Sequence, residues 1–388
     1  MLQPELKLRR DKIRALMALN GIDAALIACN VNIIYTFGEV VNGYIYIPLH
    51  SPARLFIKRP QHLKGEHIHP IRKPEEIIGL LEKHELPLPA TLLLEGDELP
   101  YSLYNRLSAA FPNATIVNGS QLIKQARTTK TRVEQEMFRR AGKLHEKAYQ
   151  NIPSLYKEGM TDLDFSIEVE RLMRQAGSLG VFRISGEDME IFMGNILAGD
   201  NAAAPSPYDF ALGGKGLDPT LPVSVCGDPL KKGTTIMVDM GGNFNGYLSD
   251  MSRVYSIGKL PDQAYEAHNL CLSIQEELVE MMLPNTPCSA LYQHAIKRVE
   301  EAGYSDYFMG IEQQAKFIGH GVGLEINEAP VLSEKSKDIL EPGMVIALEP
   351  KITLPEIGAV GIENTWIITN EGAEKTTNAP EEIIDLTK

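Results

Sequence analysis

Two aspartates, Asp239 and Asp250, stand on either side of a turn. Thr235 to Met240 is apolar and β-branched, as a buried strand requires, and Leu248 to Ile257 reads as the return strand. Asn245-Gly246 between them is a strong hairpin signal. With the turn centred on Phe244-Asn245, Asp239 falls opposite Asp250 on one face, with Cβ atoms about 4.5–5.5 Å apart. Like charges that close repel, by roughly 4 kcal/mol at about 4 Å and an effective dielectric near 20. A divalent cation between them removes that cost. The competing reading leaves one aspartate in the turn and pairs the other with an arginine such as Arg253.

The same logic recurs downstream. Glu349 ends the apolar run Val345-Ile-Ala-Leu348, and Glu363 lies in Val360-Gly-Ile-Glu363-Asn-Thr-Trp366. Their midpoint is residue 356, inside the turn segment Pro355-Glu-Ile-Gly358, so the two glutamates can face each other across a strand pair. A carboxylate in such an apolar run is costly unless paired or bound to metal. Between the two hairpins, Gly319-His320-Gly321-Val-Gly323 lets the backbone approach something closely and leaves His320 projecting.

Asp239, Asp250, the glycine-flanked His320, Glu349-Pro350 and Glu363 closely resemble, in order and spacing, the metal-ligand motifs of the prolidase/aminopeptidase P/creatinase superfamily (peptidase family M24, the pita-bread hydrolases). Asn32-Ile-Ile-Tyr35-Thr-Phe-Gly38 is similar to the signature of prolidase-type N-terminal domains, so the resemblance spans nearly the whole chain. It implies a centre of two divalent metal ions, with Asp239 on one, Asp250 and Glu363 bridging, and His320 and Glu349 completing the second. A metal-bridged hydroxide would attack a peptide or amide bond. Four carboxylates and one imidazole suit Mn first, and Co or Zn after it. The resemblance also implies a homodimer.

The surrounding polar residues depart from the pattern. Peptidases of this superfamily carry a histidine seventeen residues before the first aspartate, where this chain has Pro222. They carry another seven residues after the ligand histidine, where it has Asn327, and an arginine two residues before the last glutamate, where it has Gly361. Asn327 can donate a hydrogen bond but cannot shuttle a proton, and the other two offer nothing. Glu349 and Asn327 are the expected catalytic side chains, and the departures point to a substrate other than ordinary Xaa-Pro peptides. Substrate contacts are expected from Arg183, Glu190 and the stretch Asn195 to Asn201. An amidinohydrolase- or lyase-type enzyme on the same fold, or a non-catalytic metal-binding protein, are the alternatives. His145, His268 and His294, on helical segments with charged neighbours, read as surface or helix-packing residues.

The elements that must position these residues fall into two parts. Alternating strands and helices over residues 1–128 indicate an α/β domain. Residues 129–388 read as an α+β pita-bread domain in which one half supplies the aspartate hairpin and the other the glutamate hairpin. Helices are expected at Val133–Ile152, Asp162–Ala176 (with Thr161 as N-cap), Ala264–Met282 and Ser289–Glu301. Residues 181–224, rich in Gly, Ala and Pro, carry little periodicity. His62, His67 and His69, among Arg59, Lys64, Arg72 and Lys73, read as a solvated basic face, and Trp366 as a core residue.

Composition narrows the partners. The net charge of −13 is uneven: residues 1–128 hold 15 Lys and Arg against 12 Asp and Glu, and the remainder 23 against 39. So acidic a C-terminal part argues against nucleic acid. The longest apolar runs are too short to span a membrane, and no signal segment is evident, so a cytoplasmic protein is expected. The four scattered cysteines suit free thiols in a reducing compartment.

Overall fold

A computed structural model describes residues 3–184, 192–208 and 210–388. The chain divides into two compact units, residues 1–127 and 128–388. The first is built on a mixed sheet of β1 (Ala24–Ile27), β2 (Asn42–Pro48), β3 (Arg54–Arg59), β4 (Ile68–Pro70), β5 (Thr91–Leu94) and β6 (Thr115–Asn118), in spatial order β4-β3-β2-β1-β5-β6. β1 and β2 are antiparallel, whereas β1, β5 and β6 run parallel. Parallel neighbours need a crossover. Helix Tyr101–Ala110 supplies the one from β5 to β6. Ala24 to Ile27 are all fully buried, as a continuous apolar run requires when both faces of a sheet are covered.

The Asn32-to-Tyr35 signature lies in helix Asn30–Phe37, which closes on Gly38 at φ 96°, an angle glycine adopts without steric cost. Its role here is structural. Asn32 donates to the buried Glu95 at 2.7 Å and accepts from Arg127 at 2.6 Å, while the Tyr35 hydroxyl donates to the Ala126 carbonyl at 2.8 Å. The solvated face expected of the three clustered histidines is corrected at His69, which is buried in β4 and packs on Phe56 and His84.

The second unit contains β7 (Gly194–Ala198), β8 (Thr235–Asn243), β9 (Leu248–Ser256), β10 (Phe317–Gly321), β11 (Glu328–Ser333), β12 (Val345–Leu348), β13 (Lys351–Leu354), β14 (Gly358–Gly361), β15 (Asn364–Ile368), β16 (Ala373–Lys375) and β17 (Ile384–Asp385). They form a sheet in the order β17-β9-β8-β7, another in the order β11-β10-β12-β15-β16, and the pair β13-β14. Helix Arg132–Tyr149 opens with a reciprocal capping box between Thr131 and Glu134, and helix Asp162–Gln175 with one between Thr161 and Asp164. Helix Asp262–Met281 packs on β13 and β14, and helix Cys288–Glu301 on β10 and β11. Ala264, Ala267, Cys271, Ile274 and Leu278, spaced for one helical face, enter a core that also holds Trp366. No helix among the described residues is long and apolar enough to cross a membrane.

Candidate metal centre

The two hairpins meet where the sheets join. In the β8–β9 hairpin Asp239 pairs with Ser252 and Asp250 with Gly241, two positions away from the expected register. The cause is the turn. Asn243 Oδ1 accepts from Gly246 N at 3.0 Å and Asn245 Oδ1 from Tyr247 N at 3.1 Å, closing a loop over residues 244–247 with Gly246 at φ 97°. A shift of two residues preserves side-chain parity. Both aspartates therefore face the same side, diagonally rather than directly opposed. Arg253 pairs with neither: it donates to the carbonyls of Ser252, Glu363 and Ala379 and to Asn364 Oδ1.

For the glutamates the turn-centred register holds. Leu348 pairs with Asn364 and Lys351 with Gly361, bracketing Glu349 and Glu363 at the joint between the two strand pairs. The Thr365 hydroxyl stitches this joint to the aspartate hairpin, accepting from Asp250 N and donating to Asp250 O, both at 2.8 Å. His320 on β10 lies between Val331 and Ala347. Its Nδ1 is 3.1 Å from the Gly321 carbonyl, which can only accept. Nδ1 therefore carries the proton, and Nε2 keeps a lone pair for a cation.

All five expected ligands are thus brought together, in two groups. Asp250, His320 and Glu363 each offer a donor atom within 4.8 Å of the others, and so do Asp239, Glu349 and Glu363. His320 Nε2 is 3.5 Å from Glu349 Oε1 and 3.9 Å from Asp250 Oδ2. Donors bound to one ion at about 2.0–2.2 Å lie within about 4.4 Å of each other, so the histidine side fits a divalent cation. The other group surrounds a residue the sequence reading passed over. Lys351, whose side chain is 0% exposed, donates to Glu349 Oε2 at 2.6 Å, Asp239 Oδ2 at 2.8 Å and Glu363 Oε2 at 3.0 Å. A usable signal was present: in an extended segment Lys351 falls on the same side as Glu349, two residues earlier.

Burial dominates the electrostatics. It pushes the Glu363 carboxyl up to about 8, helped by Glu349, and drives Asp250 and Glu349 above the usual carboxylate range. Burial alone would lower the Lys351 ammonium, but Asp239, Glu349 and Glu363 outweigh it and hold that group well above its ordinary value. Burial holds the His320 imidazole below its usual value, favouring the neutral form that binds metal. Such a cluster of buried carboxylates gains most from a bound cation.

The centre opens onto a cavity of about 160 Å³ walled by Phe182, Phe210, Phe317, Ile326 and Val331. Asn327 lines it, on a loop fixed by Glu328, which accepts from Leu324 N at 3.0 Å and pairs with the buried Lys130 at 3.2 Å. Asn195 lines it too, directly across β7–β8 from Asp239. Its Nδ2 donates to the Leu212 carbonyl at 3.1 Å, while its buried Oδ1 has no hydrogen-bond partner among the described residues. Arg183 is half-buried; its carbonyl accepts from Ile326 N, and the cavity wall is formed by its neighbours Phe182 and Ile184. Glu190 lies outside the described residues. The Pro222 carbonyl accepts from Ser206 Oγ in a loop away from the cavity wall. His145 is buried against Ser249, His268 bonds the Glu381 carbonyl and His294 pairs with Glu277; none lines the cavity.

This fold and this ligand set define the class. Residues 136–370 match metallopeptidase family M24, residues 9–129 match the creatinase/prolidase N-terminal domain, and the chain belongs to this family. It is a metal-dependent hydrolase with a pita-bread C-terminal domain. Among its relatives, the Xaa-Pro dipeptidase of Pyrococcus furiosus is 29% identical over 387 residues, covering 98% of this chain and all of the relative. The Xaa-Pro dipeptidase of Bacillus anthracis superposes with a TM-score of 0.81 at 25% identity, covering 98% of this chain and 99% of that one. The prolidase of Pyrococcus horikoshii does so at 0.79 and 26%, covering 97% and 100%.

Proposed function

We propose that this chain hydrolyses the amide bond of a small peptide-like substrate held in the cavity, and that ordinary Xaa-Pro dipeptides are poor substrates. The observation that carries this reading is a set of candidate ligands gathered at a cavity whose described lining holds Asn327 and no histidine besides His320. Asp250, His320, Glu349 and Glu363 supply donors for a divalent cation such as Mn, Co or Zn, which when bound lowers the pKa of water. Glu349, which lines the cavity, would accept the proton released as water attacks. Asn327, which lines the cavity, would donate a hydrogen bond to the developing oxyanion, and Asn195 Oδ1, without a hydrogen-bond partner among the described residues, would accept from a substrate ammonium or amide N–H. The aromatic and branched wall suits an apolar side chain next to the scissile bond.

Losing one oxyanion donor typically lowers the rate by about 10²–10³. Proline at 222 and asparagine at 327 remove two imidazoles from the expected machinery. The test is a screen of Xaa-Pro dipeptides, non-prolyl dipeptides and N-acylated amides with protein reconstituted in Mn²⁺, Co²⁺ or Zn²⁺. Metal-dependent turnover of a non-prolyl substrate, with Xaa-Pro weaker, is expected. A kcat/KM for Xaa-Pro above about 10⁴ M⁻¹s⁻¹, the lower end of ordinary enzymes, refutes the substrate assignment. Absence of metal-dependent hydrolysis across the screen refutes the function.

A further inference from the structure

We propose that the Lys351 ammonium takes the place of one of the two metal ions, so that the centre binds a single divalent cation on its histidine side. Glu363 belongs to both groups and would have to bridge if two ions were bound, one through each oxygen. Its Oε2 already accepts two hydrogen bonds, from Ser252 Oγ at 2.6 Å and from Lys351 Nζ at 3.0 Å. A carboxylate oxygen has two lone-pair directions. Both are occupied, so Oε2 has none left for a metal, and Glu363 reaches a cation through Oε1 alone.

The other carboxylates divide in the same way. Glu349 gives Oε2 to Lys351, and its Oε1 faces His320 Nε2 at 3.5 Å. Asp239 gives Oδ2 to Lys351 at 2.8 Å. Asp250 makes no ion pair with Lys351, and its Oδ2 lies 3.9 Å from His320 Nε2. The ammonium thus collects one oxygen from each of Asp239, Glu349 and Glu363. Asp250, His320 and the remaining oxygens of Glu349 and Glu363 form the set left for a metal.

Lys351 is not free to swing aside. Its side chain is wholly buried on β13, and its cross-strand partner Gly361 sits so close that a Cβ there would lie 2.8 Å from Lys351 Cα and 3.2 Å from Lys351 Cγ. Charge favours the same division. Four carboxylates are offset in part by one ammonium and one divalent ion, whereas a second divalent ion would be forced against the ammonium within the same carboxylate group.

This inference rests on the metal-dependent reading above, and the two can fail separately. The protein is stripped with chelator, reloaded with excess Mn²⁺ and desalted. Bound manganese is then counted by elemental analysis, and its paramagnetic resonance spectrum recorded. Wild type is expected to hold one ion per chain with the spectrum of an isolated Mn²⁺. Lys351→Met, which frees three carboxylate oxygens, is expected to hold two with the spectrum of a coupled pair. Two ions per chain in wild type overturns this proposal and leaves the hydrolase reading standing. No bound ion in wild type overturns both. A folded Lys351→Met protein that still takes one ion shows that something else excludes the second, and also overturns it. The wild-type count decides even where the variant does not fold.

Discussion

Arg253 is the sharpest test of how the centre is held. It is 2% exposed, and its guanidinium makes five hydrogen bonds: one each to Ser252 O, Glu363 O and Asn364 Oδ1, and two to Ala379 O. It therefore ties the aspartate hairpin to the backbone of Glu363 from behind the ligands. In Arg253→Met, a near-isosteric change, Asn364 Oδ1 still accepts from Thr377 Oγ1 and Ser252 O from Glu363 N. The full loss falls on Glu363 O and Ala379 O. Each orphaned buried carbonyl costs about 1–3 kcal/mol, and relief from desolvating the guanidinium offsets part of the sum. A net loss of about 3 kcal/mol follows, or roughly 6–12 °C in Tm at the two-to-four degrees per kcal/mol usual for domains of this size. Because Glu363 is then less firmly held, Mn²⁺ affinity should fall by about 10–100-fold, the usual effect of removing support behind a metal ligand. Arg253→Lys keeps the charge without the planar fork and should recover less than half of the loss. Calorimetry and metal titration on the three proteins decide. A Met variant within about 0.5 kcal/mol of wild type, with unchanged Mn²⁺ affinity, refutes the reasoning.

His145 predicts an acid-side instability. Burial, with Arg253 adding to it, holds its imidazole down to about 3. The folded-state value lies below the ordinary one near 6.5, so the stability it contributes is complete above about pH 6.5 and is lost as pH falls toward about 3. The loss is at most about 1.4 kcal/mol per pH unit, or about 2 kcal/mol between pH 6.5 and 5. Urea midpoints of wild type and His145→Gln across that range should diverge, and parallel slopes rule the effect out. Gly361 sits at φ 141°, and an added Cβ would meet the Pro350 carbonyl. Gly361→Ala should cost about 1–3 kcal/mol through backbone strain and weaken metal binding through Glu363. A neutral effect on thermal unfolding contradicts the packing described.

The candidate ligands were legible because their types conflict with their surroundings: Asp239, Glu349 and Glu363 are carboxylates set into apolar strand sequence. Strand parity carried over to the structure intact, but register did not at the first hairpin. Asn243 and Asn245 close its turn with their own side chains, and no hydrophobic period encodes that. The glutamate hairpin, whose loop is spanned without such a shift, kept its turn-centred register. Asn195 was harder to place because β7 is only five residues long and lies in Gly- and Ala-rich sequence. The cavity wall assembles Phe182, Phe210 and Phe317, residues with no shared period at all. Lys351 was missed for a different reason. It looks like an ordinary strand lysine until the parity argument used for the acids is extended to the bases.

Lys351 bears directly on one departure from the superfamily pattern. Gly361 stands where the superfamily resemblance implies an arginine, and its direct cross-strand partner is Lys351. Against that expectation, the site holds a cation on the neighbouring strand. A guanidinium spreads its charge over a planar fork, whereas an ammonium is a compact point charge, and here that point lies within 3.0 Å of oxygens from three carboxylates. A cation that merely supported ligands would leave their metal-facing lone pairs open. Lys351, acting with Ser252, fills both lone pairs of one Glu363 oxygen. Support and substitution thus make different demands on the same atom, and a metal count separates them where an activity assay cannot.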